Sequence, residues 1–281
     1  MRNVRQIWEE TVKSLQKVYD RTESENISYV LLEDLFHITK AQVMLGEQLE
    51  FDQDQLSRSI SKLLEHRPVQ YVTSVAHFYN RKFHVAPGVL IPRPETEELV
   101  DLILRENAAR KPKVLDVGVG SGCIAISLEQ ETNGEIYGTD VSREALNVAE
   151  MNAKALESGV TFIKHNVLLE PFPVAELDIL VSNPPYIPEA DKAMMHANVL
   201  DYEPGVALFV DDDDPLIFYR TVAQQGVYAL KVGGRLYFEI HERFGSQVQA
   251  LLDSFGYTDI EIHQDMQGKD RMVSATNSAN T

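Results

Sequence analysis

VLDVGVGSGCIAI, residues 114 to 126, runs a short apolar strand into a turn rich in glycine and on into an apolar segment that reads as a helix from Cys123 to Glu129. Gly118, Gly120 and Gly122 carry no side chain to hold a ligand away from the backbone there. The turn also feeds a helix N-terminus, which attracts anionic groups such as carboxylate or phosphate. The spacing is G-x-G-x-G, whereas the dinucleotide fingerprint needs Gly or Ala at position 123, where Cys123 stands. The loop by itself therefore leaves its ligand open.

Outward from this turn the same rhythm repeats. EIYGTD (135–140) precedes a helical stretch from Ser142 to Leu156, VTFIKH (160–165) and LDILVSN (177–183) follow, and GRLYFEI (234–240) comes after a long helix. Short apolar strands alternating with helices predict a mostly parallel sheet covered on both faces. TDIEIHQD (258–265) and DRMVSATN (270–277) have only a loop between them, as an antiparallel pair requires. The expected fold is α/β: a doubly wound, mostly parallel seven-stranded sheet ending in an antiparallel hairpin. Asp140 closes the second strand about twenty residues past the glycine loop, where an acidic side chain accepts hydrogen bonds from ribose hydroxyls, so the ligand is expected to contain a nucleoside. The bland alternative is a tight turn followed by a helix cap at Asp140 or Ser142. Asp116 has two open roles, capping the loop or holding an amino group of the ligand.

Before residue 77 the pattern is helical. Ile7, Trp8, Val12, Leu15, Val18 and Tyr19 fall near a 3.6-residue spacing, and DQDQLSRSISKLLEHR (52–67) begins with a capping Asp at 52 or 54. HFYNRKFHVAPGVLIPRP (77–94) has β-prone residues on both sides of Asn80-Arg81-Lys82 and reads as a hairpin. The expected division is a helical domain for docking substrate over 1–76, a hairpin linker and lid segment over 77–98, and the ligand-binding domain over 99–281.

With 281 residues, the chain can bury more than one core. One cysteine excludes an intrachain disulfide, and neither a secretory segment nor a membrane span is visible, so a cytoplasmic location and no membrane contact are expected. Lys and Arg number 26 against 43 Asp and Glu, a net charge of −17. Between Glu170 and Pro215 there are eleven acidic residues and one basic residue, Lys192. Phosphate recognition depends on clustered Lys and Arg, so direct nucleic-acid binding is not expected. The eight His show no ligand spacing, His165 and His241 read as packing or surface residues, and Asp211 to Asp214 read as a solvated loop. No metal is expected.

VSNPPY (181–186) sets a polar amide, two prolines and an aromatic at the end of a buried strand, where ligands bind in doubly wound sheets. The Asn183 side-chain oxygen and the carbonyls of Pro184 and Pro185 accept hydrogen bonds, proline donates none, and Tyr186 offers a flat face. This set suits a planar NH₂ group. Acceptors on both N–H bonds favour the charge that grows on nitrogen as it attacks, so they act more strongly in the transition state than before it. The plainer alternative is a rigid strand-ending turn, and a scaffold or sensor without catalysis is the competing class of function.

DVGVGSG, GTD and SNPPY in this order resemble the class I S-adenosylmethionine-dependent methyltransferases that act on exocyclic or amide nitrogen. PGVLIPRPETEELV (87–100), RPVQYV, EPGVALF and GGRLYFEI resemble, within that group, the HemK/PrmC protein glutamine-N5 methyltransferases, and the likeness covers nearly the whole chain. The resemblance implies S-adenosylmethionine as cofactor, S-adenosylhomocysteine as product, and as substrate the glutamine of the Gly-Gly-Gln motif in class 1 peptide chain release factors. It places the cofactor on Gly118, Val119, Gly120, Ser121, Gly122, Asp140, Asn166, Val167 and Asn183. It places the glutamine on Asn183, Pro184, Pro185 and Tyr186, with Asn183, Pro184 and Tyr186 catalytic. Asn166 and Val167 stand where the family usually carries Asp-Trp, and VDDDDP stands where a Gly-rich turn is common. Glutamine in a ribosomal protein, or adenine N6 or guanine N2 in nucleic acid, are the alternative acceptors. Pro92 to Thr96 are expected to cover the cofactor as a lid. Glu95 and Glu97 have two readings, acid-base groups or acids favoured by a helix N-terminus.

Overall fold

Val114, Ile179, Val181 and Tyr237 pack to one side of their strands, while Leu115, Val117, Leu180, Leu236 and Phe238 pack to the other, and all are buried. A sheet apolar on both faces must be covered on both. In a computed structural model, which describes residues 1–107 and 111–278, that sheet has seven strands. They are β1 (Lys113–Val117), β2 (Glu135–Asp140), β3 (Thr161–Lys164), β4 (Leu177–Ser182), β5 (Leu230–Glu239), β6 (Tyr257–Gln264) and β7 (Asp270–Asn277). Their spatial order is β3-β2-β1-β4-β5-β7-β6, all neighbours parallel except β7, which runs antiparallel to β5 and to β6. This is the doubly wound sheet with a terminal hairpin expected from the sequence.

Helices Pro94–Glu106, Cys123–Thr132 and Arg143–Ala155 cover one face through Leu99, Ile103, Ile124, Leu128 and Leu146. Helices Ile217–Ala229 and Gly245–Ser254 cover the other through Tyr219, Val222, Val248 and Leu252. A hairpin of Val75–Phe78 and Arg81–His84 turns at Tyr79 and Asn80, both left-handed with φ of 47° and 58°. Two successive positive φ values mark the tight turn whose twist matches paired strands, and it sits one residue earlier than the expected Asn80-Arg81-Lys82.

The described chain separates into two units: Met1–Val75 with Val85–Pro87 and His196–Glu203, and Ala76–His84 with Gly88–Met195 and the residues from Pro204 on. The smaller unit is built on helices Val4–Leu15, Arg21–Phe36 and Gln53–Leu64, each opened by a side-chain cap from Asn3, Asp20 or Asp52. Leu15, Leu31, Leu32 and Leu63 form its centre. The first helix stops at Leu15, short of the apolar pattern. Tyr19, which continued that pattern, lies beyond the helix and donates its hydroxyl to Leu63 O at 2.8 Å. Residues 196–203 belong to this unit because Tyr202 donates to Glu65 O at 2.7 Å and lies under the Arg67 guanidinium, 5.3 Å from its ring centre. Such a return to a unit left more than a hundred residues earlier has no local signal, which is why the boundaries drawn from sequence lack it. The hairpin, drawn there as a linker, packs with the sheet: Phe78 and Phe83 are buried in its core. Among the described residues no helix is long and apolar enough to cross a membrane.

Candidate active site

β1 and β4 lie side by side at the point where the strand order reverses, with Val117 opposite Ser182. Gly118 and Asn183 are each one residue beyond that pair, at the carboxyl end where such sheets bind ligands. Ser182 Oγ donates to Val117 O at 2.6 Å and ties the two strand ends together. The N–H groups of Gly118 and Val119 both donate to Thr139 O at 2.8 Å, and the Gly120 N–H donates to Asp140 Oδ2 at 2.9 Å. Asp140 Oδ1 takes the Ser142 N–H at 2.9 Å, and Ser142 caps the next helix. Asp140 thus braces the glycine loop.

The glycines serve two different ends. Gly120 has φ of +55°, and a methyl group there would meet nothing within 4 Å, so its backbone borders open space. At Gly122 a methyl group would sit 2.9 Å from Ile126 Cδ1 and 3.3 Å from Ala149 Cβ. At this third glycine helix packing and a φ of +85° both exclude a side chain.

One cavity at these strand ends is lined by Gly118 to Ser121, Asp140, Asn166, Val167, Asn183, Pro184 and Pro185. Of the residues on which the resemblance placed cofactor or glutamine, Gly122 and Tyr186 are not part of its lining, and neither are Asp116, Pro94, Glu95 and Glu97. Residues 88–93 and Thr96 line it too, as do Val206, Ala207, Phe218 and Val222. Val206 and Ala207 belong to EPGVALF, which carried the resemblance without a role, and nothing local marked Phe218 and Val222, because apolar residues on a helix read as core. His165, expected as a packing residue, is buried but also lines the cavity. Asn166 Oδ1 is engaged by the Leu168 N–H at 3.0 Å, and Val167 O accepts from Gln225 Nε2 at 2.9 Å.

Tyr186 turns away from the expected stacking position. Its ring meets His241 edge-on, centroids 6.1 Å apart, and its hydroxyl donates to Glu239 Oε1 at 3.0 Å. Thr96 Oγ1 donates to Glu239 Oε2 at 2.7 Å, and Asn183 Nδ2 donates to Thr96 Oγ1 at 3.3 Å. Burial pushes the Glu239 carboxyl up, and the hydroxyls of Thr96 and Tyr186 pull it back in part. Burial, then the Glu239 charge, raises the Tyr186 phenol and keeps its proton in place. Glu95 and Glu97 occupy the first turn of a helix whose first residue is Pro94, where the dipole favours acids.

Asp116 is fully buried, and neither carboxylate oxygen has a hydrogen bond of normal geometry. Burial pushes its carboxyl up to about 8; the approaching Ala125 N–H offsets some of this and the Asp140 charge adds to it. Among the described residues Ser121 Oγ likewise has no hydrogen bond of normal geometry, with the Cys123 thiol beside it. A glycine cradle open at Gly120, an acid at the end of β2 and a buried hydroxyl beside them fit a nucleoside ligand that also carries a charged end. Of the four consecutive aspartates, Asp211 accepts from the Asp213 N–H, Asp212 from the Ala190 N–H, and Asp214 pairs with Arg220. They fold a loop.

The family described as "Methyltransferase small domain" matches residues 95–201. A release factor glutamine methyltransferase from Bacteroides thetaiotaomicron is 41% identical over 268 residues, 94% of this chain and 96% of that protein. This chain belongs to the release factor glutamine methyltransferase family. Another member, from Flavobacterium psychrophilum, is 39% identical over 270 residues, 93% and 95% of the two chains. A crystal structure of a methyltransferase from Pyrococcus furiosus matches the fold at a TM-score of 0.55 and 16% identity, covering 79% of this chain and 100% of that one. As a member of the release factor glutamine methyltransferase family the chain is a methyltransferase, and IPRPETE and NPPY, the segments that carried the resemblance, contribute residues to one cavity.

Proposed function

We propose that this protein transfers a methyl group from S-adenosylmethionine to the side-chain amide nitrogen, N5, of the glutamine in the Gly-Gly-Gln motif of class 1 peptide chain release factors. The observation that carries the reading is Asn183. Its Oδ1 has no donor among the described residues, it stands one residue past β4 opposite the glycine loop, and the chain around it is 41% identical to a release factor glutamine methyltransferase.

The cofactor supplies an electrophilic methyl group on a positively charged sulfur. Gly118 to Ser121 would hold it by close backbone approach, Asp140 would accept from its ribose hydroxyls, and Asn166 with Val167 would border the adenine. An amide nitrogen is a poor nucleophile because its lone pair is shared with the carbonyl. Asn183 Oδ1 and the Pro184 carbonyl are acceptors for its two N–H bonds, and their pull strengthens as positive charge grows on nitrogen. The fixed φ angles of Pro184 and Pro185 hold that geometry before the substrate arrives. Tyr186 is given the part of a wall and anchor behind these acceptors in place of a stacking face.

A protein substrate suits the charge balance of the sequence from which the acceptor residues come. Pro184, Pro185, Val206 and Ala207 line it from within the stretch that carries eleven acidic residues and one basic residue, which repels a polyanion. The cavity takes one side chain, so the reading gives the helical unit, with Met44 and Leu45 exposed on it, the task of holding the rest of the release factor. The reaction then belongs in the cytoplasm with its substrate. Incubation of an unmethylated class 1 release factor with this protein and S-adenosylmethionine, followed by fragment mass spectrometry, should find one added methyl group on the Gly-Gly-Gln glutamine. Labelling of a ribosomal protein or of nucleic acid with the release factor left untouched would overturn the substrate.

A further inference from the structure

The two ends of an asparagine amide have nearly the same shape and opposite hydrogen-bonding character. Only the oxygen can take an N–H from a primary amide; the NH₂ end would meet it donor to donor. Something in the fold must therefore choose which end of Asn183 faces the cavity. Resting on the function proposed above, we propose that Thr96 and Glu239 are positioning residues that fix Asn183 with its oxygen toward the acceptor nitrogen.

Glu239 as a carboxylate can only accept, and two hydroxyls reach it, Thr96 at 2.7 Å and Tyr186 at 3.0 Å. Each hydroxyl has one hydrogen and gives it to Glu239. Thr96 Oγ1 is then left only with lone pairs, so its other neighbour must donate, and Asn183 meets it with Nδ2 at 3.3 Å. Reversing the amide would set two oxygens against each other with no hydrogen between. At 3.3 Å the last contact is long, and its value lies in orientation rather than strength. The three residues come from the start of helix Pro94–Glu106, the loop after β4 and the last residue of β5. Glu239 is 1% exposed and directly follows the buried apolar run Leu236–Phe238, a costly place for a carboxylate. The positioning role accounts for why it is there.

Four variants test this: Thr96→Val, which keeps the shape and removes the hydroxyl; Thr96→Ser, which keeps the hydroxyl; Glu239→Gln; and the double variant Thr96→Val with Glu239→Gln. A Gln at 239 can donate to Thr96, which then turns its own hydrogen toward Asn183 and reverses the amide. Thr96→Val should lower kcat on an unmethylated release factor about 10- to 30-fold, the size of one misplaced hydrogen bond. Its KM and its affinity for S-adenosylmethionine, read by calorimetry, should stay within about threefold. Thr96→Ser should restore kcat, and the double variant should be no slower than the slower single one, as expected when both act through one chain. The inference is overturned by a folded Thr96→Val protein with wild-type kcat, by Thr96→Ser being as slow as Thr96→Val, or by effects that multiply in the double variant. Those outcomes leave the proposed function standing if the wild-type protein methylates the glutamine. A wild-type protein that methylates no glutamine defeats the proposed function itself.

Discussion

Replacing Asn183 by Ala separates binding of the cofactor from chemistry on the substrate. Among the described residues the side chain makes a single hydrogen bond, Nδ2 to Thr96 at 3.3 Å, so its loss should cost about 1 kcal/mol or less of stability. For a chain of this size that is a melting shift of only about 2–4 °C. The cofactor loop keeps its own supports, Thr139 O under Gly118 and Val119, and Asp140 under Gly120. Affinity for S-adenosylmethionine should therefore change less than about threefold. The transition state loses an acceptor aimed at growing charge, an effect of roughly 3–4 kcal/mol, or 10²–10³ in rate, by analogy with removal of one oxyanion-hole donor. Calorimetric binding of S-adenosylmethionine and single-turnover methyl transfer to an unmethylated release factor read the two quantities on the same preparation. Equal losses in both would make Asn183 a cofactor ligand only. A rate within fivefold of wild type would remove it from the chemistry.

Gly120→Ala and Gly122→Ala should fail differently. Both impose a side chain on left-handed backbone at a cost of about 1–2 kcal/mol, but only Gly122→Ala also forces a methyl group against Ile126 and Ala149. Gly122→Ala should melt lower, and Gly120→Ala should show the larger loss of cofactor affinity per degree of melting lost; the opposite order in thermal melts and calorimetry refutes the division of roles. Asp116 ionises near 3.8 when unfolded and about 8 when folded, so unfolding between those values releases a proton, and this group's contribution to stability falls as pH rises from about 4 to 8. Asp116→Asn removes that slope, so its melting temperature minus that of wild type should climb between pH 5 and 8, and a flat difference would contradict the buried, protonated carboxyl. Asp211, Asp212 and Asp214 are engaged with loop N–H groups and Arg220, so addition of magnesium, calcium or a chelator should leave melting temperature and methyl transfer unchanged; a shift on adding metal that is lost when these aspartates are replaced by Asn would make the run a metal site.

The sheet was legible because both of its signals are local. Apolar strands such as VLDV and LDILVS recur at short intervals between helical stretches, and strand-end residues at Gly118, Asp140 and Asn183 fall where such sheets bind ligands. The partners of Asn183 were not legible. Thr96 and Glu239 are 143 residues apart, one read as part of a lid and the other given no role within GRLYFEI. Tyr186 was visible as a residue and not as a direction, because which way an aromatic faces after two prolines depends on a carboxylate 53 positions away. Phe218 and Val222 hid for the opposite reason, since a helix that covers a sheet and a helix that also walls a cavity have the same apolar face. Positive φ at Tyr79 likewise departs from what a bulky residue prefers, and it is held by the pairing of the flanking strands, by Arg81 on its carbonyl and by Asp101 on its hydroxyl.

The glycine loop and Asn183 hang from neighbouring strands, one residue past a registered pair, Val117 and Ser182. A ladder of backbone hydrogen bonds acts there as a jig: it sets the spacing between the two working ends without help from either ligand. On the proposed reading donor and acceptor are thereby separate inheritances. The stretch after β4 can be rewritten for another nitrogen, in another polymer, while the stretch after β1 goes on presenting the same methyl group at the same place, and a lineage can change its customers without retooling its supply.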